Sequence, residues 1–212
     1  LGAIGDAGMI VTSDEKTDTR LRSLRAHGSP RRYYHDELGI NSRLDEIQAA
    51  ALLTKLEYLK TWNKRREEIA ALYNEALANC PGITTPTSPV TSGDDLTHVW
   101  HQYTIRVHNK DYSCALQNDT RQSLIAKLSE RGIGSMCYYP LPLHMQTPFK
   151  CDYKYGDFPQ SERAASEVLS LPMYPELKDD EVLLVAESLV ASMNELTTTA
   201  PIQSPIVNPV TF

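Results

Sequence analysis

Apolar residues recur at helical spacing in several stretches of the chain and alternate in one, and these two periods divide it into elements. Leu21, Leu24 and Ala26, set among Asp14, Glu15, Lys16, Arg20, Arg22 and Arg25, predict a short surface helix over residues 14–27, ended by His27-Gly28-Ser29-Pro30. Ser42-Arg43-Leu44-Asp45 has the form of a capping box, in which a serine hydroxyl and an acidic side chain three residues on satisfy free N–H groups. A helix is expected to begin there. Leu44, Ile47, Ala51, Leu52, Leu56 and Leu59 keep its spacing, Ile69, Leu72, Ala76 and Leu77 resume it after the charged stretch 60–68, and Cys80-Pro81-Gly82 stops it. Unbroken, this helix of roughly 40 residues would be about 55 Å long, enough to run from one domain into another.

Three glycines, Gly2, Gly5 and Gly8, suit a tight turn, and Met9-Ile10-Val11-Thr12 after them reads as a short buried strand. Residues 31–39 have charges and aromatics without periodicity and predict an irregular loop, as do the Thr, Pro, Ser, Gly and Asp of residues 83–97. Val99, His101, Tyr103, Ile105 and Val107 alternate with polar residues and Trp100, the period of a half-buried strand. A helix follows over 120–131 with Leu124, Ile125 and Leu128 as its apolar face and Gly132 as its stop, then a strand over 133–139. The prolines of Tyr139-Pro140-Leu141-Pro142-Leu143-His144 require extended backbone. A helix over 162–168, a segment 169–173 and a helix over 179–195 with Val182, Val185, Leu189 and Met193 as its buried stripe complete the series. Strands alternating with helices from residue 98 onward indicate a small α/β domain, and the uncharged Thr/Pro-rich residues 197–212 a disordered tail.

Composition narrows the functional classes. The 212 residues are 41% apolar and 23% charged, ordinary for a globular protein, and 21 Lys and Arg against 27 Asp and Glu give a net charge of −6. That balance argues against a phosphate-backbone binder, which needs a concentrated basic face, so nucleic acid is not expected as a partner. The longest apolar runs are of about five residues, against roughly 20 needed to cross a bilayer, and no signal segment opens the chain. No membrane association is expected. Cys80, Cys114, Cys137 and Cys151 are widely spaced with no C-x-x-C pair, which suits reduced thiols in a cytoplasm. The chain opens without a methionine and looks cut from something longer.

Candidate chemistry is sparse. Gly2, Gly5 and Gly8 match neither nucleotide-binding fingerprint, no G-x-S-x-G elbow supports a serine nucleophile, and His98-x-x-His101 on a strand would point to opposite faces rather than share a metal ion. The cationic set Arg20, Arg22, Arg25, Arg31, Arg32 and Arg43 around His27, Tyr33, Tyr34 and His35 reads either as a solvated helix face or as an anion site. Guanidinium groups match phosphate geometry, and a capped helix N-terminus adds backbone donors.

A resemblance carries further. Leu1-Gly2-Ala3-Ile4-Gly5-Asp6-Ala7-Gly8, His27-Gly28, Tyr34-His35, Gly39-Ile40-Asn41-Ser42-Arg43-Leu44-Asp45-Glu46-Ile47-Gln48-Ala49-Ala50, Tyr139-Pro140-Leu141-Pro142-Leu143-His144 and Leu171-Pro172-Met173-Tyr174-Pro175 occur in this order. Over residues 1 to about 196 the chain resembles the C-terminal half of the DegT/DnrJ/StrS family of nucleotide-sugar aminotransferases, pyridoxal-phosphate enzymes of fold type I. Ala7 stands where relatives commonly have Gly. The resemblance implies an α/β chain made of the end of the large cofactor-binding domain over 1–41, a long inter-domain helix over 42–82, a small C-terminal α/β domain over 83–196 and the tail.

The same resemblance implies the site. The family's cofactor-binding lysine lies in a Lys-Asn-Leu-Gly context two positions before Leu1, so the chain as given lacks it, and the fragment alone is expected to be inactive. Asn41 matches the asparagine that crosses a homodimer interface to bond the cofactor phosphate of the neighbouring subunit, with Arg43 beside it. Tyr33, Tyr34, His35 and His144 are the candidates for contact with the nucleotide sugar, and glutamate is the usual amino donor. Two alternatives stay open: a sugar dehydratase of the same family, in which histidine replaces the lysine, and a non-catalytic dimerisation or regulatory segment.

Overall fold

The structure, a computed structural model, describes residues 1–88, 98–108 and 119–198. It divides into two compact units, Leu1–Thr61 and Trp62 onward. In the first unit, α1 spans Glu15–Leu24, and its start is fixed by Asp14, whose Oδ2 accepts from the Thr17 amide at 2.9 Å. Helix α2 spans Glu46–Leu56. It therefore begins three residues later than the capping-box pattern predicts, with Asp45 rather than Ser42 as its N-cap. The reason lies in the backbone of Ser42, whose N–H donates to the Arg25 carbonyl at 2.9 Å while Asn41 bridges Ala26, so that the segment is held extended. Asp45 is the N-cap instead, without a side-chain cap bond.

The opening turn is tied to α2 by side chains. Gln48 Oε1 accepts from the Gly5 amide at 3.1 Å, Gln48 Nε2 donates to the Asp6 carbonyl, and Lys55 Nζ donates to the Gly2 carbonyl at 2.7 Å. Met9 to Thr12 form no strand, contrary to the sequence expectation. A strand needs a neighbour for its ladder, none pairs with this segment among the described residues, and Met9, Ile10 and Val11 are exposed. The long helix is also interrupted: α2 ends at Leu56 and α3 runs Leu59–Leu77, with the Tyr58 amide turning back to the Lys55 carbonyl between them.

The second unit holds the hydrophobic core, formed by α3, the strands β1 (Ile83–Thr84), β2 (Tyr103–Val107) and β3 (Val168–Leu171), and the helices α4 (Asp119–Glu130), α5 (Pro159–Glu167) and α6 (Asp179–Thr198). The strands form one antiparallel sheet in the order β1-β2-β3, with Ile83 opposite Val107 and Tyr103 opposite Leu171. Along β2 the expected alternation holds from Tyr103 on, with Tyr103, Ile105 and Val107 buried. Upstream it inverts: Trp100 is buried and Val99 exposed, because Trp100 takes a positive φ of 48° and its amide donates to the His98 ring at 2.9 Å. His98 and His101 thus lie outside the strand on which they were placed by pattern.

Residues 133–139 contribute a single bridge rather than a strand, Met136 pairing with Ser170 in both directions. Gly134 on one side and the Tyr-Pro-Leu-Pro run on the other leave little backbone suited to a ladder. Tyr73 and Tyr103 stack at 4.7 Å in the core, their hydroxyls donating to the Pro172 carbonyl and Asn74 Oδ1, and burial pushes both phenols well above their ordinary pKa. The stripe Val182, Val185, Leu189 and Met193 of α6 is buried as its spacing predicts. This helix reaches Thr198, past the start expected for the tail, and the rest of that tail lies outside the described residues, as do Cys114 and residues 89–97 of the predicted loop. No helix among the described residues is long and apolar enough to cross a membrane.

Candidate functional site

Between α1 and α2 the chain makes a loop closed at its base by backbone hydrogen bonds. The Gly28 amide donates to Ser23, His27 to Ile40, Ile40 to Leu24 and Asp36 to Gly28, all at 2.9 to 3.0 Å. Two glycines make this closure possible. A Cβ on Gly28, which sits at φ +69°, would stand 1.7 Å from the Glu37 carbonyl oxygen, and one on Gly39 would stand 2.1 Å from the Gly28 nitrogen. The loop's tip is a tight turn in which the Tyr34 amide donates to the Arg31 carbonyl and Tyr33 takes φ 71°, a backbone conformation that a bulky residue holds only under surrounding constraint.

The tip presents aromatic rings to solvent. Tyr33 is 79% exposed, and the Arg31 guanidinium lies 3.8 Å over the Tyr34 ring and that of Arg32 5.0 Å over Tyr33. His35 Nδ1 lies 3.0 Å from the His27 carbonyl, so it is the protonated nitrogen and donates; in the neutral ring Nε2 is left as an acceptor. Other arginines of the cationic set are engaged locally: Arg20 with Glu37 at 3.2 Å and Arg22 with Asp18 at 2.8 Å. Asn41 closes the loop through its bridge to Ala26, and its side chain is exposed. The exposed Arg43 stands 3.9 Å from Asp45, just before the first turn of α2.

His144 is placed differently from the other candidates. It belongs to the second unit, on a 3₁₀ turn over Leu143–Met145 that replaces the extended backbone expected there, since no proline follows Pro142 closely enough to forbid a turn. The residue is 7% exposed, its Nε2 lies 2.9 Å from Glu162 Oε1, and its ring packs 4.9 Å from that of Phe158. The same Glu162 oxygen accepts from the Gly156 amide at 2.7 Å and the Phe158 amide at 3.4 Å. Burial alone would raise this carboxyl's pKa, yet the Gly156, His144 and Phe158 hydrogen bonds outweigh it and hold the pKa below the ordinary glutamate value. Glu167 follows the same logic: burial is outweighed by Arg163 at 2.8 Å and Arg106 at 2.9 Å. Sequence pattern missed both glutamates, although Glu162 shares a helical face with the buried Ala165 and Glu167 ends that helix.

Pyridoxal phosphate, the cofactor the resemblance implies, can be tested against these residues. The Asn41 amide, the Arg43 guanidinium and the amides opening α2, which Asp45 leaves without a side-chain cap, form a donor set of the kind that binds phosphate. In chemical type these donors suit a phosphate, while the carboxylate of Asp45, 3.9 Å from Arg43, and that of Glu46 oppose an anion there.

A chain of two units, the second an antiparallel sheet packed with helices and the first a glycine-closed loop leading into a helix N-terminus, finds its match in a known family. The chain belongs to the DegT/DnrJ/EryC1/StrS aminotransferase family, whose profile matches residues 1–190. It is 45% identical over 192 residues to the pleiotropic regulatory protein of Geobacillus stearothermophilus, covering 89% of this chain and 48% of that one. It is 39% identical over 191 residues to dTDP-3-amino-3,4,6-trideoxy-alpha-D-glucose transaminase of Streptomyces venezuelae, covering 89% and 46%. The crystal structure of S. venezuelae DesV superposes with a TM-score of 0.72 at 38% identity, covering 86% of this chain and 46% of that one. The fold is that of the C-terminal part of a fold type I α/β transferase. The chain spans about half the length of the curated relatives it matches.

Proposed function

We propose that these residues are the C-terminal part of a pyridoxal-phosphate aminotransferase that moves an amino group, from glutamate, onto a keto group of a nucleotide-linked sugar. The observation that carries this reading is the match of residues 1–190 to an aminotransferase family, supported by a 39% identical relative named as a transaminase of a dTDP-linked sugar. When bound, the cofactor supplies an electron sink for the substrate carbon that gives up its proton. Asn41 donates from its amide to the cofactor phosphate of a neighbouring subunit and Arg43 adds charge beside it. Tyr33, Tyr34 and His35 meet the nucleotide sugar from the loop tip, and the rigid closure at Gly28 and Gly39 keeps them in place as the sugar docks. His144 contacts a sugar hydroxyl. The working protein is a cytoplasmic homodimer with shared sites, and the segment boundaries follow the family's, with 1–41 completing a large domain and 83–196 forming a small one.

Complementation tests this reading. One full-length variant lacks the family's lysine and a second is disabled at both Asn41 and Arg43, so each is nearly inactive alone. In a random mixture about half of the dimers pair the intact lysine of one with the intact loop of the other at one of their two sites, so activity is expected to recover to about a quarter of wild type. Verified heterodimers without recovery would refute shared sites. A second reading, a regulatory segment without catalysis, draws on the name of the G. stearothermophilus relative; absence of aminotransferase activity in a full-length wild-type protein that binds dTDP-sugar would favour it.

A further inference from the structure

Glu162 gathers three donors on one buried oxygen: the His144 ring, the Gly156 amide and the Phe158 amide. The donors come from both ends of a segment that leaves the 3₁₀ turn of His144, passes through a second 3₁₀ turn over Thr147–Phe149 and irregular backbone, and re-enters helix at Pro159. A carboxylate that already accepts from two amides is an acceptor toward histidine as well, so Nε2 of His144 carries the proton. In the neutral ring Nδ1 is then a lone-pair acceptor. Among the described residues nothing bonds to Nδ1, and it is not sealed from solvent. The ring cannot turn to present another edge without breaking the Glu162 bond and its packing on Phe158. An otherwise buried histidine thus keeps one fixed acceptor open to solvent, its ring packed on Phe158, which in turn meets Tyr153 edge-on.

We propose that Glu162 is a positioning residue, fixing His144 and the segment 144–158 so that His144 Nδ1 accepts a hydrogen bond from a hydroxyl of the sugar substrate. This rests on the aminotransferase reading above. It extends that reading to a residue that touches no substrate, and it makes the role of His144 depend on a particular ring nitrogen.

Two measurements test it. In the 212-residue chain, hydrogen exchange at the Gly156 and Phe158 amides is expected to speed up about tenfold or more in E162A, while E162Q, whose Oε1 still accepts from both amides and from Nε2, stays near wild type. Unchanged exchange in E162A would overturn the proposal. In the full-length protein, calorimetry compares dTDP with dTDP-3-amino-3,4,6-trideoxyglucose as probes. H144A and E162A are each expected to weaken the sugar nucleotide about tenfold, without adding in the double variant, to leave dTDP alone unchanged, and to be distinguished from E162Q, which rescues. A general loss of folding would weaken both probes and would not be reversed by so small a change as glutamate to glutamine. If the sugar nucleotide binds H144A as it binds wild type, this proposal and the His144 contact fail together, while the aminotransferase reading stands. If wild type binds neither probe, the functional reading fails and this proposal with it. If E162A aggregates, E162Q and H144A decide: equal affinity of H144A and wild type overturns the assignment, and tenfold weakening with E162Q near wild type supports it.

Discussion

Cutting the chain ahead of α3 is expected to yield one polypeptide that folds and one that does not. No apolar side chain of residues 1–61 is buried in the chain; only Ser23 and Gly28 are, and Leu38, Ile47 and Leu53 are 99%, 78% and 67% exposed. A fully buried large apolar side chain stabilises a fold by about 1.5 to 3 kcal/mol, and ordering a residue's backbone costs about 1 to 2 kcal/mol. In the first unit that cost is set against exposed hydrogen bonds and helices of 10 and 11 residues, shorter than the roughly 12 to 15 at which isolated helices become marginal. In the second, Ile69, Tyr73, Leu77, Ile105, Leu124, Leu128, Leu169 and Leu189 are all at most 1% exposed. A polypeptide of residues 57–198 is therefore expected to unfold in one cooperative transition in urea, followed by far-ultraviolet circular dichroism, and a peptide of residues 1–56 to show no transition and unprotected amides. Cooperative unfolding of the 1–56 peptide alone, or none in 57–198, would refute the reasoning.

The second unit should also be acid-sensitive. Glu162 and Glu167 have folded pKa values below the ordinary glutamate value, so the stability they contribute is complete above that value and is lost as pH falls through the lower folded values; urea midpoints measured against pH should drop in that window, and E167Q should flatten the drop. If Asn41 donates to a neighbouring subunit's cofactor phosphate as proposed, Asn41→Asp in the full-length protein would bring a negative charge there and pyridoxal phosphate affinity should fall roughly tenfold or more, about 1.4 kcal/mol; unchanged affinity in a purified dimer would make Asn41 a loop-closing residue only. A polypeptide of these 212 residues mixed with pyridoxal phosphate is expected to keep no cofactor through dialysis, and a borohydride-reducible adduct at one lysine would overturn that.

What periodicity could reveal was burial inside this chain. Val182, Val185, Leu189 and Met193 face the core because helical spacing and helical packing coincide in α6, and Tyr103, Ile105 and Val107 do so in β2. The errors have local causes. Ser42 looked like a cap, but its amide is spent on Arg25, a bond between residues 17 apart in sequence that no cap pattern can register. The long helix broke at Glu57-Tyr58 although neither residue is a helix breaker by type. Glu162 escaped notice because its partners include the backbone amides of Gly156 and Phe158, which no residue type announces, and Glu167 because Arg163 at i,i+4 alone reads as a surface pair, while Arg106, 61 residues away, joins it only in the fold.

The two units are stabilised by different physics, and this predicts where each tolerates change. The loop of residues 26–42 is held by backbone hydrogen bonds and by two glycines that leave no room for a Cβ, so its shape depends on Gly28 and Gly39 far more than on the side chains at its tip. Arg31, Arg32, Tyr33 and Tyr34 contribute mainly to one another, through ring and guanidinium contacts near the surface. Selection on those four side chains is then free to follow what they touch outside the chain. The second unit is the reverse: its core residues are interchangeable only at the cost of packing, while the segment fastened by Glu162 and His144 depends on a few polar atoms. A change at Gly28 should alter the loop without unfolding the second unit, whereas a change at Leu128, fully buried in that unit's core, should lower the unit's own urea midpoint.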